Sequence, residues 1–365
     1  MIAGGDLVAS EWEYVLGFLP KDFSRSAWAQ GALLRRRQVD SASDLLRLAL
    51  GYALCDWSLA TTAAAAERMG MGHLSDVAVL KRLRRCGPWL ERITGQLLRQ
   101  RTAVGGLPAV RLRLGDATTV SRPGSHGADW RIHACYDAGR GQFDQFVLTD
   151  ATGGESLRRY PLQPGDVLVA DRGYAHVEAL AAVVAVPAYF VVRMPWNRLV
   201  FRSEAGEAWD LLAFLRGLPA ARVAEAPVRV RAAQGDFPAR VVALRKSAAA
   251  TEVARRRILR EASRKGKTPD PRTLECAGYF FVLSVLPDAI SADQVLAIYR
   301  LRWQIEIAFK RLKSLLHIDA LRAKDPALAR SYLYGKLIGA LLLDELTARA
   351  QAFSPWGYEV MSAEL

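Results

Sequence analysis

The residues best suited to do chemistry in this 365-residue chain are three carboxylates, Asp116, Asp171 and Glu306. Hard oxygen donors of this kind suit Mg²⁺ or Mn²⁺. A pair of such ions serves phosphodiester chemistry, one activating the attacking oxygen and the other stabilising the leaving oxygen. The carboxylates must then converge in space, although they stand far apart in sequence. Each also has a plainer reading. Glu306 can form an i, i+4 ion pair with Arg302, worth a few tenths of a kcal/mol, and Asp171 can cap the helix that follows it. Asp116 is harder to explain away, because it takes the inward register of a strand otherwise built of Val and Leu, where an unpaired charge is costly.

Each carboxylate needs an element to hold it. "VRLRLGDATTV" alternates with period two, placing Val110, Leu112, Leu114, Asp116, Thr118 and Val120 on one face and Arg111 and Arg113 on the other, as in a half-buried strand. Two further strands are predicted in "WRIHACYD" and "QFDQFVLTD". Asp171 ends the apolar run "VLVA", where open α/β sheets present ligand-binding groups. The helix and second buried strand after it, reaching "AYFVVRMP", complete a strand-helix-strand alternation. Glu306 falls in "YRLRWQIEIAFKRLK", read as one helix. With Tyr299 at zero, Arg302, Lys313 and Glu306 project at about 300°, 320° and 340°. They form one stripe beside an apolar face of Leu301, Ile305, Ala308, Leu312 and Leu316.

About half of the residues are hydrophobic, so two or more packed units are expected. The formal charge of +13 favours a polyanionic partner, with nucleic acid as the leading candidate. Cys55, Cys86, Cys135 and Cys276 lack C-x-x-C spacing, which argues against a zinc site or a disulfide framework and fits a reducing cytoplasm. No leader pattern opens the chain, and the apolar run "LIGALLL" is too short to span a bilayer. Residues 1–104 read as helical, with seven Lys/Arg against one Glu between Lys81 and Arg101, a pattern open to either helix-turn-helix docking on DNA or a solvated face. A composition shift marks residues 198–276 as an insertion holding a β-hairpin, "APVRVRAAQGDFPARVVALRK", and a basic segment with Arg255, Arg256, Arg257 and Lys265. That segment is a phosphate track or a solvated face. Trp196, Trp209 and Trp303 are read as packing residues, and His126, His133 and His176 show no metal-binding spacing.

Taken together, these residues resemble a known family. The order Asp116, Asp171, Glu306 is similar to that of the Asp-Asp-Glu transposases of bacterial insertion sequences. The helix resembles the signature of their hairpin-forming branch, the insertion-sequence "four" family: Tyr, two residues, Arg, three residues, Glu, six residues, Lys, here Tyr299, Arg302, Glu306 and Lys313. "GDATT" and "DRGY" resemble the surroundings of the family's two aspartates, and Arg172 lies within the second. The likeness covers about residues 107 to 340.

The resemblance implies an α/β fold: a ribonuclease-H-like core with a mainly β insertion between the second Asp and the Glu, and a helical N-terminal DNA-binding domain. The expected divisions are 1–104, core 105–197, insertion 198–276, core 277–345 and tail 346–365. It implies cut-and-paste transposition through a DNA hairpin. Asp116, Asp171 and Glu306 would hold two Mg²⁺, with Mn²⁺ able to substitute, while Tyr299, Arg302 and Lys313 would grip phosphates near the hairpin. An aromatic of the preceding strand, Phe280 or Tyr279, would stack on a flipped base. The implied partners are double-stranded DNA, as terminal inverted repeats and target, and a second copy in a synaptic homodimer, working in the bacterial cytoplasm at the nucleoid. Two alternatives stay open: a DNA-binding descendant that no longer cuts, and a nuclease of the same fold that does not join strands.

Overall fold

Period-two runs and apolar runs form nine strands of one sheet in the computed structural model, which describes residues 11–35, 37–103, 111–122, 124–220 and 222–352. The first ten residues and most of the tail expected at 346–365 lie outside the described residues. The strands are β1 (Arg111–Val120), β2 (Trp130–Asp137), β3 (Gln142–Asp150), β4 (Asp166–Ala170), β5 (Tyr189–Arg193), β6 (Phe201–Arg202), β7 (Val223–Val230), β8 (Phe237–Arg245) and β9 (Tyr279–Ser284). Their order across the sheet is β3-β2-β1-β4-β5-β9-β8-β7-β6. β1, β2 and β3 form an antiparallel meander, and β4 and β5 then run parallel to β1. This is a ribonuclease-H-like core. β9 pairs antiparallel with both β5 and β8, so the strands from residues 198–276 extend the core sheet edge to edge.

Helices cover both faces. In chain order they are α1 (Phe23–Ala29), α2 (Ala42–Leu54), α3 (Leu59–Arg68), α4 (Asp76–Ala103), α5 (Val177–Ala185), α6 (Leu211–Arg216), α7 (Ala248–Arg264), α8 (Pro271–Cys276), α9 (Ala292–Arg300), α10 (Trp303–Leu316) and α11 (Pro326–Ala352). The pleat divides β4 between two cores: Val167 and Val169 pack with α4, α10 and α11, and Leu168 and Ala170 pack with α5. Segment 198–276, expected to be mainly β, also carries α6, α7 and α8.

One expectation is corrected. β1 is not half-buried, because its second face is covered too: Arg113 is 2% exposed. Its guanidinium is bidentate to Asp144, at 2.7 and 2.9 Å, and donates to the Pro161 carbonyl. Arg111 is bidentate to Asp166, at 2.8 and 2.7 Å. In α4 the basic residues Lys81, Arg84, Arg85, Arg92 and Arg99 are exposed, as the solvated-face reading has it. Val79, Leu83, Cys86, Trp89, Leu90 and Ile93 bury one side of it, and Arg84 and Arg92 pair with Asp325 and Asp22. No helix among the described residues is long and apolar enough to cross a membrane.

Candidate active site

Strand register decides which way the aspartates point. Leu112 and Leu114 face the core that holds α10, so Asp116, two residues on, presents its carboxylate to that same side. Val167 and Val169 do so on β4, and Asp171 follows in phase. β1 and β4 are parallel neighbours, Gly115 opposite Ala170, which brings both aspartates to one end of the sheet. On the far side the Tyr160 hydroxyl donates to the Asp116 carbonyl at 3.2 Å and lies 3.0 Å from the Tyr174 hydroxyl. Gly115 leaves room for this ring, since a Cβ there would meet Tyr160 at 3.0 Å.

The third carboxylate comes from above. A capping box at Ser291, whose hydroxyl accepts from the Gln294 N–H while the Gln294 side chain accepts from the Ser291 N–H, starts α9. The expected single helix is interrupted, however: α9 ends at Arg300 and α10 starts at Trp303, joined by a tight turn in which the Arg302 N–H donates to the Tyr299 carbonyl. The turn swings Leu301 out to 37% exposure, although the helical angles placed it on the buried face. Ile305, Ala308 and Leu312 are buried as expected and seat α10 against the sheet.

Arg302 stands among the acids. Its guanidinium pairs with Glu306, lies 3.9 Å from Asp116 Oδ2, and faces the Tyr299 ring at 5.8 Å. The Tyr299 hydroxyl donates to Asp171 Oδ1 at 3.2 Å, and Arg193 approaches the same oxygen at 3.9 Å. Burial works to raise the Asp171 carboxyl, but the Arg172 backbone N–H together with Arg302 and Arg193 outweighs it and holds the group below its ordinary value. Asp116 goes the other way. Burial pushes it up to about 6, opposed by the Ala117 N–H and Arg302 and reinforced by Glu155 and Glu306.

A carboxyl raised by folding stabilises the fold when protonated. That contribution is complete below the ordinary value of 3.8 and lost as the pH rises through about 6. In metal-free protein Asp116→Asn is therefore expected to be more stable than the parent at pH 7 by about 3 kcal/mol, with the gap closing toward pH 4. Denaturant titration in chelator at the two pH values measures it, and equal stability at pH 7 would mean that the ionised carboxylate is well compensated.

Among the described residues no three His, Cys, Asp or Glu side chains lie close enough together to hold an ion. The guanidinium of Arg302 lies between two of the acids, paired with Glu306 and 3.9 Å from Asp116 Oδ2. The donor set still fits a divalent metal: hard oxygens facing one another, one of them raised by burial and like charge.

The other expected residues divide. Phe280 meets Tyr299 at 5.3 Å between ring centroids, under Arg193 at 5.7 Å, and the two rings line a cavity of about 250 Å³ with Trp303. Tyr279 points to the opposite face of β9, where Arg245 covers it. Lys313 is exposed, about 10 Å along α10 from Glu306. Arg172 and Arg257 line a second cavity, of about 450 Å³, with Arg193 and Lys246. Arg255 bonds the Leu274 carbonyl, while Arg256 and Lys265 form exposed i, i+4 pairs with Glu252 and Glu261. Trp303 is not a packing residue: it is 62% exposed, because the turn before α10 aims it outward. Trp196 and Trp209 do pack, on Arg272 and on Phe201 and Phe214. Arg193 was not anticipated, although a cation closing the apolar run "YFVVR" beside Asp171 was a usable signal.

Residues 111–343 match the transposase DDE domain family. The chain is similar to InsL of insertion sequence element IS186A of Escherichia coli (strain K12), 40% identical over 94% of this chain and 96% of that protein. It is 39% identical, over the same shares, to the transposase for insertion sequence element IS421 of Escherichia coli. Among solved structures it is similar to a piggyBac transposase synaptic complex with hairpin DNA, with a TM-score of 0.47 and 9% identity, covering 93% of this chain and 74% of that one. A domain match across most of the chain, joined to 40% identity along nearly all of it, means that the chain belongs to the DDE-domain transposases of insertion sequences, divalent-metal-dependent enzymes of DNA cleavage and strand transfer.

Proposed function

We propose that the chain moves its insertion sequence by cut-and-paste transposition through a DNA hairpin, as a dimer that holds two terminal inverted repeats and then a target. The observation that carries this reading is the continuity between the acids and a group of residues suited to a strained DNA end. Tyr299 touches Asp171, Arg302 touches Glu306, and Phe280 and Trp303 line the adjoining cavity. Asp116, Asp171 and Glu306 would hold two Mg²⁺, or Mn²⁺ in their place. When bound, these ions activate an attacking oxygen and stabilise a leaving one.

The chain's own residues do the positioning. Arg302 and Lys313 offer charge-assisted hydrogen bonds to phosphates on either side of the reacting bond. Phe280 offers an aromatic face to an unstacked base, with Arg193 stacked behind it. Tyr279 takes no part, since it faces away. Arg172 and Arg257 extend the basic surface from Asp171 toward α7, while Arg255, Arg256 and Lys265 add charge on its outer side. The N-terminal helices would read the repeat, at the nucleoid in the cytoplasm.

Incubating the protein with a repeat-ended duplex and Mn²⁺ tests the reading. Fold-back products at the element end on a denaturing gel are the expected result, and Lys313→Ala should reduce them by about 10-fold, equivalent to one charge-assisted contact, while leaving non-specific binding nearly unchanged. Open ends without fold-back products would identify a nuclease, and tight binding without cleavage a descendant that no longer cuts.

A further inference from the structure

β1 and β4 run side by side from Arg111 opposite Asp166 to Gly115 opposite Ala170. Asp116 and Asp171 are the first residues past that last rung, where backbone pairing no longer fixes one of these strands against the other. Two tyrosines stand behind them. Tyr160 follows the short helical turn Leu157–Arg159, and Tyr174 closes the turn that begins at Asp171, its N–H donating to the Asp171 carbonyl at 3.0 Å. Both are buried, at 2% and 0% exposure, and their rings lie 6.2 Å apart between centroids at an interplanar angle of 29°.

A phenol has one proton to give. The Asp116 carbonyl can only accept, so the Tyr160 proton goes to it across 3.2 Å, and the Tyr160 oxygen must then accept from Tyr174 across 3.0 Å. The bonds run one way, from the Tyr174 hydroxyl to the Tyr160 hydroxyl to the Asp116 main chain. Each polarises the next, and in a buried seat a broken one leaves a polar group unpaired. The phenols pack with Leu168 and Ala170, on the opposite side of the sheet from Leu114, Val169 and the two carboxylates.

We propose that Tyr160 and Tyr174 are positioning residues for strand cleavage: their hydroxyls continue the β1–β4 ladder past its last backbone rung and fix the spacing between the two aspartates. The proposal rests on the reading of Asp116 and Asp171 as metal ligands, and it acts through their main chain alone. Acids that share ions must keep their geometry to within about 0.5 Å. The hydroxyl pair supplies that constraint where the sheet stops supplying it.

Tyr160→Phe, Tyr174→Phe and the double variant test this in cleavage of a repeat-ended duplex with Mn²⁺, with kcat and KM for the duplex measured separately. Each change removes one oxygen and keeps the ring. Tyr160→Phe frees the Asp116 carbonyl and is expected to lower kcat by about 10-fold to 100-fold with KM unchanged. Tyr174→Phe leaves the bond to Asp116 in place and should lower kcat by about 3-fold. The double variant should be no slower than Tyr160→Phe alone, because Tyr174 acts only through Tyr160. A merely structural role would lower the urea midpoint and leave kcat at the parental value. That result, a loss confined to KM, or single losses that multiply in the double variant would each overturn the proposal. Asp116→Asn serves as the reference. If it abolishes cleavage while Tyr160→Phe keeps the parental kcat, the positioning role alone falls; if it cleaves at the parental rate, the metal-ligand reading falls and the proposal with it.

Discussion

Converting Asp116 or Asp171 to asparagine, or Glu306 to glutamine, is expected to slow DNA strand cleavage in Mg²⁺ by about 10³-fold or more, equivalent to at least about 4 kcal/mol of barrier. Each change removes one negative charge and little volume, and the seats differ enough to keep the three tests independent. Asp116 is fixed by the Ala117 N–H at 2.8 Å, Asp171 by the Tyr299 hydroxyl, and Glu306 by Arg302. Folding should survive, because all three side chains lie at the rim of the apolar core. Gel shift with the same duplex supplies the control, and affinity for the repeat should stay within a few-fold of the parent. Cleavage at the parental rate by any one variant would remove that residue from the metal site, whatever the other two do.

The largest stability effect is expected on the opposite face of β1. Asp144→Ala leaves the Arg113 guanidinium buried with its bidentate partner gone, and only the Asp166 carboxylate, at 3.5 Å, and the Pro161 carbonyl near it. Breaking a buried pair from one side costs about 3 to 5 kcal/mol. Urea unfolding should show a loss of that size. Replacing both partners, as Arg113→Met with Asp144→Leu, should recover most of it, since no uncompensated charge then remains. A single-variant loss below about 1 kcal/mol would mean that water reaches the guanidinium, as at a surface pair.

These two sites show what could be read before folding and what could not. The alternation of "VRLRLGDATTV" correctly put Asp116 on an inward face, because period two follows from the pleat alone. It could not reveal that the other face is inward as well. That depends on Asp144 and Asp166, which lie 31 and 53 positions further along and meet Arg113 only through strand order. The strands β2, β3 and β9 and the hairpin β7–β8 were legible from apolar runs and turn residues. The break at Leu301 and Arg302 was not, since both residues take right-handed helical dihedrals and neither is a glycine or a proline. Trp303 was misread although its helical angle already pointed away from the apolar stripe.

The sheet itself has a mechanical consequence. β9 is bonded to β5 on one edge and to β8 on the other, so no flexible joint separates the inserted strands from those that carry the aspartates. A load on β6, β7 or β8 would reach β5 through the successive rows of hydrogen bonds that join β8 to β9 and β9 to β5. The inserted part is therefore built into the core as one continuous sheet and not hung from it as a tethered appendage.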